Sequence, residues 1–516
     1  MPTWLIVSLA VVVVLGLLAL QDVLQTGHAI RRVYPLLGRM RYLVEMIGPE
    51  LRQYIVTSDL DERPFSRSQR AWVYQAAKQV DSSIGFGTQV DTWKPGSFHF
   101  LPSPFATLHE EAPDAGDPVL IGAHRPRPFP VRSRINIAPM SFGALSAAAV
   151  KALSSGAALA HCYINTGEGG LSPHHLEGGS DIVFQIGPAK YGVRTSDGAM
   201  DWDALARIGL MDQVRAIEVK AGQGAKPGKG GILPAAKVTD EIAAIRGIPA
   251  GKPSLQPNRF AEYHDVPSLV DFVERIKSVV PVPAGLKIVV GDESLVDALA
   301  RERAETGRGP DYLSVDGSEG GTGAAPPSLT DHMGLPMRDA IVAADNAYRR
   351  HGVRNQITLI AAGRVTNGAD AALAIALGAD LVNIARGFLL SLGCIQALKC
   401  HTNECPTGVA TQSQWRQRGL VLTEKRERVA NYAQAVQDDL MTMVRSVGLR
   451  SPSELRRTHL EIIVEVGRRI SAAHLYPYPE RLTESEGLSS TGAGEAIIET
   501  LTIAGETPNE QLPIAS

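Results

Sequence analysis

The chemistry-bearing residues of this 516-residue chain concentrate in Gly393–Gln412, GCIQALKCHTNECPTGVATQ, which holds three of its four cysteines. Cys394, Cys400 and Cys405 follow C-x5-C-x4-C spacing. Thiols so concentrated suit metal ligation or redox work better than disulfides. Zinc normally takes four protein ligands, often in paired C-x2-4-C units, and His401 is the one imidazole in the segment. Three thiolates in irregular loop suit an iron–sulfur cluster, because soft sulfur selects iron clusters. Spacing leaves one alternative open, three buried and inert cysteines.

A loop of this kind needs a scaffold, and the texture of the chain supplies one from Ile135 onward. Short apolar runs recur at Ile135–Ala138, Cys162–Asn165, Ile182–Ile186, Ile217–Lys220, Leu286–Val290, Tyr312–Val315, Ile357–Ala361 and Leu381–Ile384. Ala-rich amphipathic stretches lie between many of them, as at Ala144–Ala160, Leu269–Val279, Asp339–Arg350 and Ala369–Leu377. Eight strands alternating with helices predict a (β/α)8 TIM barrel. A doubly wound sheet competes, but no G-x-G-x-x-G follows the first strand.

Barrels collect function at the C-terminal ends of their strands. The loop after the first strand runs Ala138-Pro-Met140-Ser141-Phe-Gly143, and Thr166-Gly-Glu168-Gly-Gly170 follows the second. Gln185 sits on the third strand, Lys220 ends the fourth, and Lys287 lies inside the apolar run of the fifth. The last three loops are glycine-rich: Gly320 and Gly321, Gly363-Arg364, and Arg386-Gly387. Glycine loops there commonly bind phosphate through backbone N–H groups; plain turns are the alternative. Lys220 and Lys287 could hold a flavin's pyrimidine edge or a substrate carboxylate, or serve as surface cations or structural ion pairs.

Composition narrows the classes. A net charge of −3 gives no electrostatic case for nucleic acid. Trp4–Leu20, WLIVSLAVVVVLGLLAL, is uncharged and long enough for a short transmembrane helix. Arg31, Arg32, Arg39 and Arg41 follow it, so the positive-inside rule predicts a single-pass anchor in the cell membrane with a cytoplasmic catalytic domain. A positive n-region and a small-x-small cleavage site, marks of a signal peptide, are not seen. The predicted division is an anchor over 1–22, a juxtamembrane and cap segment over 23–134, and the barrel with its cysteine loop over 135–420. A helical C-terminal extension over 421–480, including Ser453–Ala473, and a flexible tail over 481–516 complete it.

Five motifs in order, MSFGALS (Met140–Ser146), TGEGG (Thr166–Gly170), QGAKPGKGG (Gln223–Gly231), EGGTGA (Glu319–Ala324) and CHTNECPTGVATQ (Cys400–Gln412), resemble the FMN-binding synthase domain of glutamate synthase. The resemblance spans about 135–415 and implies a (β/α)8 barrel carrying FMN and a [3Fe-4S] cluster. It implies reduction of 2-iminoglutarate, formed from 2-oxoglutarate and ammonia, to L-glutamate. Carried over by position, Cys394, Cys400 and Cys405 are the cluster ligands, and Met140 and Ser141 meet the flavin. Gln185, Lys220 and Lys287 lie near flavin and oxo-acid, and Glu168 lines the site. Gly320, Gly321, Gly363 and Gly387, with Arg364 and Arg386, fall in the phosphate-holding loops.

The chain departs from the family pattern at three places. GHDGGTG becomes GSEGGTG through Ser318 and Glu319, RFG becomes Lys190-Tyr191-Gly192, and Arg364 replaces a common glycine. The expectation is a stand-alone, membrane-anchored form without the family's glutamine amidotransferase domain, drawing electrons from a separate partner, a ferredoxin or an NAD(P)H reductase subunit. Two other readings stay open. One is an FMN-dependent amine or amino-acid dehydrogenase passing electrons to a membrane partner, and the other is a non-catalytic, membrane-tethered barrel.

Overall fold

In a computed structural model the described residues are 2–480, apart from 26, 28, 81, 82, 84 and 113–116. The expected tail over 481–516 therefore lies outside the described residues. The chain divides into two units, Met1–Trp72 and Val73–Ser516.

The first unit is helical. Thr3–Leu24 forms one helix, long and apolar enough to cross a bilayer and unburied along its apolar window, a property it shares with signal sequences near an N-terminus. At its end Asp22 accepts from Arg31 at 2.6 Å, from Arg39 at 2.7 Å and from the Leu36 amide at 3.1 Å. Those bonds tie the helix Ala29–Val33 and the first turn of Leu37–Leu51 to the end of this helix.

The second unit is built on a closed barrel of eight parallel strands. In chain order they are β1 (Ile135–Ile137), β2 (Ile164–Asn165), β3 (Ile182–Ile186), β4 (Val214–Lys220), β5 (Ala284–Ile288), β6 (Tyr312–Asp316), β7 (Thr358–Ala362) and β8 (Leu381–Ile384). All eight expected runs become barrel strands. Nearly all of their residues are buried, as expected of strands covered on both faces. Helices start where side chains cap them: Ser146 accepts from the Ala149 amide, Asp265 from Ser268 and Asn367 from Asp370.

An antiparallel hairpin, Val119–Ile121 with Phe129–Val131, packs Ile121, Phe129 and Val131 against Tyr163, Tyr312 and Leu381. These contacts lie toward the N-terminal ends of the strands and fill that end. The C-terminal ends are left for chemistry.

Beyond the cysteine loop, Leu422–Ser446 is a long helix against the helices Ala147–Leu159 and Gly368–Leu377. The helix expected over Ser453–Ala473 is not formed. Short 3-10 turns there lead into a hairpin, Leu460–Glu465 with Arg468–Ser471, and Phe98–Phe100 adds a third antiparallel strand. Ile462, Ile463 and Val464 are β-branched, Gly467 takes φ +80° at the turn, and the pairing comes from a segment far away in sequence. Helical periodicity misled because that partner is invisible locally.

Candidate active site

The polar residues at the barrel mouth come from strand ends and the loops just beyond them. Glu218 and Lys220 are two positions apart on β4, so they point to one side. Lys220 pairs in register with Lys287 on β5. Repulsion between two lysines is answered by two carboxylates: Lys220 Nζ lies 2.8 Å from Glu168 Oε2, and Lys287 Nζ lies 3.2 Å from Asp316 Oδ2. Both pairs are largely buried. Lys220 also donates to Gln223 Oε1 at 3.1 Å, whose amide reaches the Gly321 carbonyl at 2.9 Å. The Gly224 amide donates to Asp316 at 2.9 Å.

Deeper in the barrel Glu218 accepts from Asn165 at 2.9 Å and from Gln185 at 2.7 Å. Of the residues named from the sequence, Gln185 thus bonds to Glu218, Lys220 pairs with Glu168, and Lys287 pairs with Asp316. Burial raises the Glu218 carboxyl above its ordinary range, although Lys287 and the two amides oppose the rise. Burial also acts on Glu168, but Lys220, Lys226 and Arg246 outweigh it and hold that carboxyl below its ordinary value. Lys226 is buried, and burial together with the Lys220 charge lowers its ammonium.

Lys226, Glu218 and Asp316 were missed as site residues by sequence reasoning. Lys226 stands inside the QGAKPGKGG motif, and Glu218 shares the strand parity of Lys220. Those signals were readable. Lys190 is turned to a different partner, Glu262, at 2.7 Å.

The loop carrying Met140 and Ser141 lies directly over the loop after β2. Gly167 takes φ +61°, and a Cβ there would come within 2.7 Å of the Ser141 amide nitrogen, so only glycine allows the approach. The glycines assigned to a phosphate have other neighbours. A Cβ on Gly387 would meet Tyr432 Oη at 2.0 Å, one on Gly363 would meet Met337 at 2.7 Å, and one on Gly321 would meet Arg386 at 2.7 Å. A Cβ on Gly320 would meet Asp316 at 2.8 Å. Glycine at these four positions therefore also serves close packing of protein on protein.

Arg364 and Arg386, at the ends of the adjacent strands β7 and β8, bring cations to the same loops. Burial, then repulsion from Arg364, pushes Arg386 down to about 10. Arg386 also donates from Nη2 to the Glu319 carbonyl, and guanidiniums such as these two are the donor type that takes a phosphate monoester. The residues present therefore fit the phosphate of a flavin mononucleotide.

The cysteine loop follows the helix Arg386–Ser391. The Cys394 carbonyl accepts from Tyr74 Oη at 2.6 Å, and its sulfur accepts from the Gln396 amide at 3.5 Å. Burial resists ionisation of Cys405, but hydrogen bonds from Thr407 and from backbone amides of Thr407, Val409 and Ala410 lower its thiol overall. Burial, then Cys405, raises Cys400. Cys162 is fully enclosed and pushed up to about 12 by burial, an ordinary buried thiol. The three loop thiols fit a sulfur-ligated cluster by donor type, and Cys405 by its thiolate-favouring amides. Among the described residues, however, no three His, Cys, Asp or Glu side chains are gathered as a metal site.

Residues 107–450 match the family model described as the conserved region in glutamate synthase. The glutamate synthase large subunit-like protein YerD of Bacillus subtilis (strain 168) is 38% identical over 501 residues, covering 90% of this chain and 95% of that protein. An archaeal-type glutamate synthase (NADPH) of Thermotoga sp. (strain RQ2) is 34% identical over 333 residues, 64% of this chain and 62% of its own length. An archaeal glutamate synthase (NADPH) of Methanocaldococcus jannaschii is 36% identical over 329 residues, 62% of this chain and 60% of its own. The chain thus spans about three-fifths of the two NADPH enzymes and nearly all of the Bacillus relative. The chain belongs to the glutamate synthase family and is an oxidoreductase of the class acting on CH–NH2 donors.

Proposed function

We propose that the protein is an FMN-dependent enzyme that reductively aminates 2-oxoglutarate, through 2-iminoglutarate, to L-glutamate. The observation that carries this is the buried set of three lysines and two carboxylates, Lys220, Lys226 and Lys287 with Glu168 and Asp316, at the barrel mouth. A dicarboxylic oxo-acid needs cations at both ends. Lys220 and Lys226 would hold its carboxylates, and Lys287, fixed by Asp316, would face the flavin with Gln185. Glu168 stays ionised beside Lys220, so it can orient that ammonium and accept a hydrogen bond from the iminium N–H. Arg364 and Arg386 would hold the flavin phosphate, and Met140 and Ser141 would cover the ring. FMN, when bound and reduced by its electron donor, would supply the hydride-transfer chemistry for the imine.

Cys394, Cys400 and Cys405 would ligate a [3Fe-4S] cluster, which supplies single-electron transfer when bound. A separate protein, a ferredoxin or an NAD(P)H reductase subunit, would deliver the electrons. The Thr3–Leu24 helix would hold the enzyme at the cell membrane with its barrel on the cytoplasmic side.

The test is anaerobic purification and reconstitution of the full chain, followed by a chemical reductant, 2-oxoglutarate and ammonium. Glutamate is expected, with flavin and cluster absorbance in the same sample. No glutamate from a flavin-loaded sample removes the substrate assignment. The apolar helix favours a second reading, an amine or amino-acid dehydrogenase that passes electrons to a membrane partner. Flavin bleaching by an amine in the absence of reductant would select it.

A further inference from the structure

Lys237 has no part in the chemistry above, yet it is one of the most deeply buried cations of the chain, 1% exposed. It ends the short 3-10 turn Ala235–Lys237. Its Nζ donates to the carbonyls of Ala144 at 2.6 Å, Cys400 at 3.1 Å and Ala410 at 3.0 Å. An ammonium has three N–H donors, and these three carbonyls meet all of them. The ionisable groups acting on it are Cys400, Cys405 and Arg246, with no carboxylate among them. Burying a lysine is costly unless its donors are satisfied. Here backbone carbonyls from two separate segments satisfy it.

Those segments are the loop after β1 and the cysteine loop. No helix or strand is formed between Ser391 and Gln414, so tertiary bonds must hold this stretch in shape. Gln412 donates to the Gly143 and Leu145 carbonyls at 3.1 and 3.0 Å, and the Ser146 amide donates to the Val409 carbonyl at 2.9 Å. Asn403, at φ +66°, donates to the Ala236 carbonyl at 3.0 Å. Lys237 is the member of this set that touches the β1 loop and both sides of Cys405.

We infer that Lys237 is a positioning residue: its ammonium ties the Cys400–Ala410 stretch to the loop after β1 and so fixes where Cys400 and Cys405 stand relative to the flavin-facing loop. The part of this inference that concerns iron rests on the cluster reading above; the part that concerns the loop does not. A merely structural lysine would, when removed, loosen the whole barrel. A positioning lysine loosens the cysteine loop alone.

The experiment compares the full-length protein with K237M, purified anaerobically, by hydrogen–deuterium exchange and by iron content per chain. Expected in K237M is exchange faster by about tenfold in peptides covering 400–412, with those covering β3 and β7 unchanged. Iron per chain should fall to roughly half or less, because ligands must be held in place for metal to bind. If K237M is insoluble, K237Q, which keeps N–H donors for two of the carbonyls, should show the same localised change at smaller size. Unchanged exchange in 400–412, a rise spread evenly over β3 and β7, or localised loosening with wild-type iron would each overturn the inference. If the wild type itself carries no iron, the cluster reading fails, and the exchange comparison alone decides Lys237.

Discussion

Glu218 and Glu168 show opposite behaviour on the same side of one barrel, and pH separates them. Glu168 is held below its ordinary pKa because the charge of Lys220 outweighs burial. A carboxyl depressed in the folded state adds stability above its unfolded pKa, about 4.3, and loses it as pH falls through the folded value. Glu218 is raised by burial, so it withdraws stability as pH climbs from about 4.3 to its folded value. E218Q keeps an oxygen for Asn165 and Gln185 and removes that loss. Its melting temperature relative to the wild type should therefore rise as pH climbs above about 4.3, whereas E168Q should lose ground to the wild type at lower pH, as pH climbs toward about 4.3, and hold level above it. Thermal melts in a pH series check both signs. Lys287 gives a second residue-scale prediction. K287M leaves Asp316 buried without its cation and should cost about 3–5 kcal/mol in urea unfolding. Adding D316N should recover part of that, since no unpaired charge then remains.

The helix Leu422–Ser446 governs stability at the element scale, because it seats on glycines. A Cβ at Gly156 would come within 2.5 Å of Val429 and 2.7 Å of the Arg426 carbonyl, and one at Gly368 would come within 2.2 Å of the Leu440 nitrogen. Backbone at such distances cannot give way as a flexible side chain would. G156A should therefore cost about 1–3 kcal/mol by overpacking, read as a lower urea midpoint with an unchanged slope. A larger slope change would mean that the helix detaches instead of straining. The same helix was legible in sequence from its spacing and charge. The hairpin after it was not, since its strands are completed by Phe98–Phe100 from the other end of the domain. Helical spacing and alternating burial overlap in a short apolar run, and only the partner decides between them.

At the scale of the whole molecule, two units of different character share one chain. The Thr3–Leu24 helix exposes Trp4, Leu9, Val12 and Leu17, apolar side chains that water does not favour. The full-length protein should sediment with membranes and resist extraction by high salt, while removal of residues 2–24 should release it to the soluble fraction. A mature protein whose mass lacks these residues would mark them as a signal sequence.

Periodicity and chain order determined much of this protein before any folding was known. Short buried runs at regular spacing can close only as parallel strands joined by helices, so the eight barrel strands were readable, along with the glycine-marked loops at their ends. The cysteine spacing and the lysines at strand ends were readable for the same local reason. Partnership was not. Glu168, beyond β2, meets Lys220 at the end of β4, Asp316 takes Lys287, and Lys237 reaches the Ala410 carbonyl 173 positions away. Nor could spacing show that the loop glycines face protein atoms, or that Arg364 and Arg386 repel one another. Charge and packing act through space at a few ångströms, and barrel closure alone sets which residues come that near.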